Sequence, residues 1–330
     1  MKKRGKGVGI SFYGTGYGNG FPDVSKARIK LLENGKIGLY VGASEVGQGA
    51  KTTLGQIAAE SLNIDTSWID FISEDTSLMP DSGTAAASRQ TYNTGNAIKI
   101  ACENLKLELF EKARIELGLN AATGFSTENG NIYLNFFPSK EISFRELSQK
   151  YRGENSIKAE GVFTAQTVEM DPETGQGAPY LPYTFNACAV IVEVDTNTGI
   201  IDVLEATFAQ DVGRAINPNL VEGQLDGGFA MALGYTLFED LNLDKGAMKN
   251  NKFSKYLIPT AMDMIDIEKI IIEDPESSAP YGAKGVGEPV MIPVAPAILN
   301  AIYDAIGIRI TELPVTPERL FKIMEAHKDK

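Results

Sequence analysis

The sequence predicts a mixed α/β (α+β) fold arranged in two lobes. A chain of 330 residues exceeds the size at which a single hydrophobic core stops growing, so two compact parts are expected. The composition, 43% hydrophobic and 22% charged, is that of an ordinary globular protein. Segments with strand and helix patterns alternate in both halves of the chain. The polar stretch Arg152–Asn155 is the best candidate boundary, which predicts lobes over residues 1–155 and 156–330.

The first lobe is expected to contain both kinds of element. Apolar residues recur at helical spacing between residues 50 and 62. Asn129-Gly130 is a hairpin signal, and Ser143 with Glu146 forms a capping-box pattern at a helix start. The predicted strands are 8–12, 28–43 (around the turn at 33–35) and 68–73. The predicted helices are 50–62, 91 to about 117 and 143 to about 151, with a loop of small residues over 76–91.

The second lobe continues the alternation. Asn217-Pro218 supplies an N-cap and a first-turn proline, which predicts a helix start. The predicted strands are 187–194, 200–210 and 267–273, the first two joined by a turn at 195–199. The predicted helices are 217–238, 295–305 and 317–326.

Charge and hydropathy exclude several classes of function. A net charge of -12 argues against nucleic acid or an anionic membrane as the main partner. The basic start Met1–Arg4 is not followed by the apolar region of a secretory signal, and no apolar stretch approaches the ~20 residues of a membrane span. These features predict a cytoplasmic chain.

Metal-binding and nucleophilic residues are scarce. Cys102 and Cys188 lie far apart in apolar surroundings, which favours buried structural thiols over a metal site. The single histidine, His327, lies in the charged C-terminal tail, where a solvated position is expected. The chain alone therefore cannot build a histidine-rich metal site or a Ser-His-Asp triad, and redox chemistry would need a cofactor or another chain.

Two glycine-containing loops precede predicted helices. In Gly42–Gly49, free backbone N–H groups at a helix start could hold a phosphate, and Gln48 would suit the edge of a heterocycle. A tight strand-to-helix turn explains that pattern equally well. In Gly83–Thr91, small side chains, hydroxyls and Arg89 could form an anion cradle, or could simply cap the long helix.

Two further glycine-rich stretches are of interest. Gly227 and Gly228 lie inside a predicted helix, where each costs about 1 kcal/mol relative to alanine. Another helix or a cofactor is therefore expected to approach closely. The run from Gly5 to Gly20 is interpreted as turns and strand edges rather than a nucleotide-binding loop.

The stretch Tyr281–Pro289 is the most informative part of the chain. It places one carboxylate, that of Glu288, between glycines and a proline. Glycine lets the backbone approach a ligand closely, and Pro289 restricts the direction in which the chain leaves. In tight apolar surroundings such a carboxylate could act as a general base. A solvated glutamate in a turn is the alternative.

Six strings, in this order, resemble the molybdenum-binding subunit of the xanthine dehydrogenase/aldehyde oxidase family of molybdenum hydroxylases. They are Ser44–Gly49, Gly83–Ser88, Gly95–Ala97, Asp211–Pro218, Glu222–Gly228 and Gly282–Pro289. The resemblance covers only the C-terminal half of the family's subunit, and its first cofactor-binding half has no counterpart here. Because the chain opens with Met1 and reaches the family's usual end, we expect a subunit split into two polypeptides. This arrangement is similar to that of nicotinate dehydrogenase, in which a medium molybdopterin subunit pairs with a large one.

The resemblance implies a molybdopterin-binding fold and assigns site residues. Glu288 matches the catalytic glutamate beside the metal. Gln48 and Gln224 match residues that hydrogen-bond the pterin, and no protein side chain ligates the molybdenum, which is held by the dithiolene of the pterin. The implied cofactor-binding residues are Gly47, Gln48, Gly49, Thr84, Ala85, Ala86, Ala87, Ser88, Arg89, Gln224, Lys284 and Gly285.

The resemblance also implies cofactors, partners and an activity. The expected cofactor is molybdopterin cytosine dinucleotide with molybdenum carrying a sulfido or selenido ligand. FAD and 2Fe-2S clusters are expected in partner subunits, beside a large molybdopterin subunit, with electrons passing to NAD(P). The implied reaction adds water-derived oxygen to an electron-poor carbon of an N-heterocycle, and nicotinate (giving 6-hydroxynicotinate) is favoured. Purines such as xanthine or hypoxanthine, aldehydes, and a non-catalytic scaffold or cofactor-handling paralogue are the alternatives.

Overall fold

The computed structural model describes residues 1–18, 21–73 and 75–328. The chain divides into two compact units, each assembled from separate stretches of sequence. The first unit comprises residues 1–13, 183–273 and 286–330, and the second comprises residues 14–182 and 274–285. The units do not coincide with the predicted lobes. The N-terminal strand pairs with a strand of the second half of the chain, and residues 158–164 pair with a strand of the first half.

The elements alternate as the sequence predicts. In chain order the strands are β1 (Lys2–Gly14), β2 (Val24–Leu31), β3 (Ile37–Val41), β4 (Ile69–Ile72), β5 (Phe125–Glu128), β6 (Asn131–Leu134), β7 (Phe137–Ser143), β8 (Lys158–Thr164), β9 (Tyr183–Asp195), β10 (Ile201–Asp211), β11 (Leu243–Asp244), β12 (Ala247–Met248) and β13 (Ile267–Ile272). The α-helices are α1 (Ala50–Leu62), α2 (Gly95–Glu116), α3 (Phe144–Lys150), α4 (Pro218–Leu233), α5 (Val294–Ile306) and α6 (Pro317–Lys328). Mixed α/β architecture is thereby confirmed.

The first unit is a sheet with helices packed on one face. Its strand order is β1-β9-β10-β13, with β9 and β10 antiparallel and β10 and β13 parallel. Alternate residues of β9 and β10, among them Val192 and Phe208, are fully buried with Phe229 of α4 and Ile298 of α5. Burying each such side chain is worth roughly 1.5–3 kcal/mol, so this apolar layer holds the unit together.

Glycines of β1 explain how close α5 comes to the sheet. Gly5, Gly7 and Gly9 alternate along the strand and are buried, and a methyl group at any of them would overlap backbone atoms between Pro293 and Ala305. The interpretation of this glycine run as turns and strand edges is therefore wrong for these three residues, which lie inside a strand. They let a helix pack against bare backbone. Gly20 of the same run lies outside the described residues.

Residues 289–306 come closer to a membrane-span length than the sequence analysis expects. This helical stretch of 18 residues has a mean hydropathy of 1.5, and 44% of it is buried. Its buried residues, including Val294, Ala297 and Ile298, belong to the core beneath the sheet. Burial of one face explains the apolar character of this stretch as that of a core helix.

The second unit contains two sheets and three helices within the described residues. One sheet has the order β4-β3-β2-β8 and the other the order β5-β6-β7. Helix α2 contacts β2, β8 and α1, and its buried residues include Ala97, Ala101 and Leu105. Gly161 of β8 lies against the backbone of Ala97 and Ala101, so that α2 approaches this sheet closely as well.

Most predicted elements are confirmed, and β7, β8 and the two-residue strands β11 and β12 are missed. The helix at 50–62, the capping box of Ser143 with Glu146, and the N-cap at Asn217 all form as expected. The predicted strand 28–43 is two strands, β2 and β3. The sequence analysis missed β7, which has five exposed residues in a row, and β8, in which only the glycine is buried. Neither strand shows the apolar alternation that signals a strand.

The predicted roles of the cysteines are confirmed. Cys102 and Cys188 are both fully buried and unbonded to each other. Burial raises the pKa of both thiols to about 12, so that neither is a thiolate at neutral pH. His327 is exposed on α6, where its Nδ1 lies 2.8 Å from the carbonyl oxygen of Ile323.

Candidate functional site

Glu288 lies in the first unit, at the end of an exposed turn that leads directly into buried residues. The side chain of Glu288 is exposed, whereas Pro289 and Val290, which begin the following 3-10 turn, are buried. The hydroxyl of Tyr13 donates a hydrogen bond to Glu288 Oε2. Within this chain the carboxylate is presented outward, and tight apolar surroundings are not formed around it by the described residues. An exposed carboxylate on an anchored backbone is suited to contact a ligand.

Helix α4 packs against the Glu288 turn through one of its glycines. A methyl group at Gly228 would overlap Val290, whereas a methyl group at Gly227 would meet no atom of the described chain within 4 Å. The close approach expected at this glycine pair is confirmed at Gly228, and the neighbour is the turn that follows Glu288. Gln224 lies one helical turn earlier on α4 and is partly exposed.

In the second unit, the loop before α1 is closed by its own carboxylate. Glu45 accepts hydrogen bonds from the backbone N–H groups of Gly47 and Gly49 at 2.9 Å and of Lys51 at 3.0 Å. Partial burial alone would raise the pKa of the Glu45 carboxyl, but these N–H groups outweigh that effect, so the pKa lies below its usual value. Of the two interpretations of this loop, the tight strand-to-helix turn is therefore favoured over a phosphate site, because Glu45 already accepts three of its backbone N–H groups.

Gln48 is held within the same loop. Its Nε2 donates to the carbonyl oxygen of Ser44 at 2.9 Å and to Oε1 of Gln90 at 2.8 Å. Its Oε1 accepts from the backbone N–H of Val46 at 2.7 Å. Gly47 and Gly49 have φ values of 101° and 83°, a left-handed backbone that explains why glycine stands at both positions. The amide of Gln48 is thus fixed in direction at a partly exposed position.

The segment from Thr84 to Ser88 combines exposure with backbone strain. Thr84, Ala85 and Ala86 are exposed, and the next two residues, Ala87 and Ser88, have φ values of 57° and 52°. Consecutive non-glycine residues in the left-handed region are unusual, and such strain is concentrated at functional sites. The backbone N–H of Thr84 donates to the hydroxyl of Tyr17 at 2.8 Å.

Arg89 lies behind this segment and is fully buried. Its Nε donates to Asp23 Oδ1 at 2.5 Å, Nη1 to the carbonyl of Ser82 at 2.6 Å, and Nη2 to the carbonyl of Val24 at 2.8 Å. A guanidinium whose donors are used inside the chain supports the loop from beneath rather than reaching outward to an anion. A π-helical turn, Gln90–Thr94, follows directly.

Lys284 and Gly285 also lie in the second unit. Lys284 is 7% exposed, and its Nζ lies 3.5 Å from Oδ2 of Asp274. A methyl group at Gly285 would overlap the carbonyl oxygen of Ser88. The structure therefore brings Gly285 against the strained turn, a contact that only glycine permits.

A cavity of about 720 Å³ lies in the second unit beside these residues. Its lining includes Tyr17, Phe21, Asp81, Gly83 and Thr84. The size is within the usual range for a small-molecule site. The sequence analysis predicted Thr84 here but missed Tyr17 and Phe21, which lie in a glycine-rich stretch without a recognisable spacing pattern.

The predicted site residues fall into two groups. Glu288 and Gln224 belong to the first unit, and the others belong to the second unit. Tyr13, the partner of Glu288, was missed because one tyrosine at a strand end carries no signal in the sequence. Over residues 1–18, 21–73 and 75–328, no group of three or more His, Cys, Asp or Glu side chains is placed to hold a metal ion.

Comparison with known proteins assigns the chain to a family. A family model described as the molybdopterin cofactor-binding domain matches residues 1–265. The chain belongs to the molybdenum hydroxylase family. It is 33% identical over 329 residues to a probable xanthine dehydrogenase subunit from Bacillus subtilis (strain 168), an alignment that covers 98% of this chain and 42% of the relative.

Solved structures of molybdenum hydroxylases show the same fold. Quinoline 2-oxidoreductase from Pseudomonas putida 86 matches with a TM-score of 0.82 at 28% identity over 98% of this chain and 42% of that one. The aldehyde oxidoreductase from Desulfovibrio desulfuricans matches with a TM-score of 0.80 at 32% identity over 97% of this chain and 32% of that one. This molybdopterin-binding chain thus spans less than half the length of these relatives.

The described residues fit a molybdopterin cofactor. The short side chains of Thr84, Ala85 and Ala86 leave an exposed backbone segment accessible, and buried Arg89 holds this segment in place. Both N–H groups of the Gln48 amide are used within the loop, so that Oε1, with its second lone pair, is the atom available to a pterin edge. A pterin dithiolene brings its own sulfur ligands to the metal, so this chain needs to supply hydrogen bonds and shape rather than metal ligands.

Proposed function

We propose that this chain is the medium molybdopterin subunit of a multi-subunit molybdenum hydroxylase that acts on an N-heterocycle. The observation that carries the proposal is the exposed Glu288 carboxylate directly before the buried Pro289, with the Tyr13 hydroxyl as its hydrogen-bond partner. In this presentation the carboxylate can take a proton from a group outside the chain. General base catalysis by a positioned carboxylate contributes about 10²–10⁴-fold to a rate.

Each candidate site residue has a defined part in this proposal. When bound, the molybdenum cofactor would supply the redox chemistry by taking the hydrogen and the electron pair of the substrate C–H bond that water-derived oxygen replaces. Glu288 accepts the proton of the attacking oxygen at a carboxylate oxygen, and Tyr13 holds this carboxylate in orientation. Gln224 donates to and accepts from the pterin, and Gln48 accepts from it at Oε1.

The remaining predicted residues shape the cofactor site. Gly47, Gly49 and Gly285 allow close approach of backbone, and Lys284 orients its own loop through its pairing with Asp274. The small side chains of residues 84–88 adjoin the cofactor and substrate, and Arg89 supports them from within. The cofactor form proposed is the cytosine dinucleotide, with a sulfido or selenido ligand on the metal.

The proposed substrate is an electron-poor nitrogen heterocycle, with nicotinate converted to 6-hydroxynicotinate. Two of the compared relatives are named for xanthine and quinoline, both of which are N-heterocycles. Nicotinate is proposed within this class as an electron-poor N-heterocycle. An aldehyde is the second candidate, because a relative at 32% identity is an aldehyde oxidoreductase.

The proposed partners are a large molybdopterin subunit, a 2Fe-2S subunit and an FAD subunit, which pass electrons to NAD(P) in the cytoplasm. The comparisons support further subunits, because one relative at 33% identity is itself named a subunit.

The experiment that tests the proposal is isolation of the native complex, followed by molybdenum analysis and substrate-dependent flavin bleaching. We expect about one molybdenum per chain, as for a single cofactor-binding site, and bleaching by nicotinate rather than by xanthine, hypoxanthine or an aldehyde. Bleaching only by an aldehyde would replace the heterocycle proposal. An intact complex without molybdenum would favour the non-catalytic scaffold.

A further inference from the structure

Polar residues replace apolar ones at one end of the buried face of the first unit's sheet. Along β9, Val194, Val192, Val190 and Cys188 point into the core, and the next buried residue of this face is Asn186. Asn186 is 7% exposed, and its cross-strand neighbour on β10, Gln210, is fully buried. Two amides in a core are unfavourable unless their hydrogen bonds are satisfied.

All the hydrogen-bonding groups of the Asn186 amide are used. Its Nδ2 donates to the carbonyl oxygen of Pro289 at 2.6 Å and to Oε1 of Gln210 at 3.0 Å. Its Oδ1 accepts from the hydroxyl of Ser11 on β1 at 2.6 Å. Reversing the amide would set Oδ1 against the Pro289 carbonyl oxygen, so only one orientation of Asn186 is favourable.

Gln210 fixes that orientation. Its Nε2 donates to the hydroxyl of Thr184 at 2.9 Å and to the carbonyl oxygen of Asp211 at 2.7 Å. Both of its N–H groups are therefore occupied, and Oε1 must face Asn186 as an acceptor. The two amides form a closed network that begins on β10 and ends on the residue after Glu288.

We propose that Asn186, oriented by Gln210, is a positioning residue for Glu288. Proline has no backbone N–H and a restricted φ, so a hydrogen bond to its carbonyl holds the residue and, with it, the direction in which Glu288 projects. A misplacement of about 1 Å can lower a rate by about 10²-fold, which gives such anchoring a catalytic consequence. The inference rests on the proposed role of Glu288 as the general base.

The test compares Asn186→Ala with a matched control in the native complex. Asn300→Ala is the control, because Asn300 Nδ2 also donates to a backbone carbonyl in this unit, that of Val8, at 2.9 Å. For Asn186→Ala we expect kcat to fall by about 10–100-fold with KM within about twofold. Molybdenum content should be unchanged, and amide hydrogen exchange over residues 286–292 should rise by about tenfold or more. Asn300→Ala should leave these four quantities near wild type.

A double-mutant cycle separates positioning from general stabilisation. If Asn186 acts through Glu288, Asn186→Ala should lower turnover by less than about twofold in a Glu288→Gln background. Where Asn186→Ala fails to assemble, Gln210→Met keeps the volume and should produce the same pattern to a smaller extent.

Unchanged exchange over 286–292, or full additivity with Glu288→Gln, would overturn the inference. A failure of the proposed function has a different signature. Near-normal turnover of Glu288→Gln would remove the base role whatever Asn186→Ala does, while its exchange result would still report the anchoring.

Discussion

Glu45 and Glu288 are both glutamates in glycine-rich loops, yet the folded chain uses them in opposite ways. The carboxylate of Glu45 accepts three backbone N–H groups at the start of α1. The carboxylate of Glu288 is exposed and accepts a hydrogen bond from the Tyr13 hydroxyl. The next residue, Pro289, is held through its carbonyl oxygen, which accepts a hydrogen bond from Asn186. A carboxylate saturated with backbone donors stabilises a loop, whereas an exposed one can exchange a proton. The direction of the surrounding N–H groups separates the two roles.

The largest expected difference concerns turnover. Glu288→Gln should lower kcat by about 10²–10⁴-fold, because an amide cannot take up the proton, while molybdenum remains bound. Glu45→Gln should retain kcat within about threefold, since its carboxylate contributes to loop stability alone. Steady-state kinetics with molybdenum analysis of both variants tests the contrast. Equal losses in the two variants would contradict it.

The next largest effect concerns the buried Arg89. Its substitution tests whether the guanidinium supports the loop from within or binds an anion outside the chain. Arg89→Met leaves Asp23 buried and unpaired, so the free energy of unfolding should fall by about 3–5 kcal/mol. Arg28→Met, at a pair whose side chains are 39% and 61% exposed, should cost less than about 1 kcal/mol. Denaturant unfolding compares them. A loss at Arg89 no greater than that at Arg28 would show that this guanidinium does not support the loop.

A neighbouring pair of glycines tests whether packing beneath Glu288 matters. Gly228→Ala forces Val290 to move and should lower the free energy of unfolding by about 1–2 kcal/mol, with reduced turnover. Gly227→Ala has open space and should stabilise α4 by about 0.5–1 kcal/mol through helix propensity. Thermal unfolding and kinetics of both variants provide the measurement. If both substitutions raised the free energy of unfolding, the turn after Glu288 would tolerate the displacement of Val290.

The smallest effect is a pH dependence at Glu45. A carboxyl whose pKa is lowered on folding stabilises the protein above its unfolded pKa, about 4.3, and this contribution is lost as the pH falls through the folded value. Glu45→Gln should therefore unfold about 1 kcal/mol more easily at pH 7, and the deficit should vanish once the pH is below the folded pKa. Exposed Glu108→Gln is the control, with no deficit expected at either pH. A pH-independent deficit at Glu45 would point to lost shape instead of lost charge.

The sequence predicted much of the fold because its local signals were strong. The helix at 50–62, the capping box at Ser143 and the N-cap at Asn217 depend on spacings within a few residues, and each formed as expected. Strand β8 was missed because its one buried residue is Gly161. This glycine has no side chain, and so it lets helix α2 pack close to the strand. A pattern of apolar residues does not predict a close contact that is possible only because a side chain is absent.

The candidate site was predicted in composition and only partly in geometry. Glu288, Gln48 and Thr84 are at exposed or partly exposed positions that a ligand can reach. The loop before α1 was expected to offer free N–H groups, and Glu45 takes them because it lies two residues before Gly47 with its side chain turned back. Such a local competition is invisible until the backbone angles of Gly47 and Gly49 are known.

By itself, the sequence determined the element types, the buried thiols and the family, since these follow from periodicity, capping residues and short collinear motifs. Only the tertiary structure decided that the units are discontinuous, that Ala87 and Ser88 adopt left-handed angles, and that Asn186 meets Pro289. The reason is distance along the chain. Asn186 and Pro289 are separated by 103 positions, and hydrogen bonds between such residues arise from strand pairing and packing that no local pattern encodes.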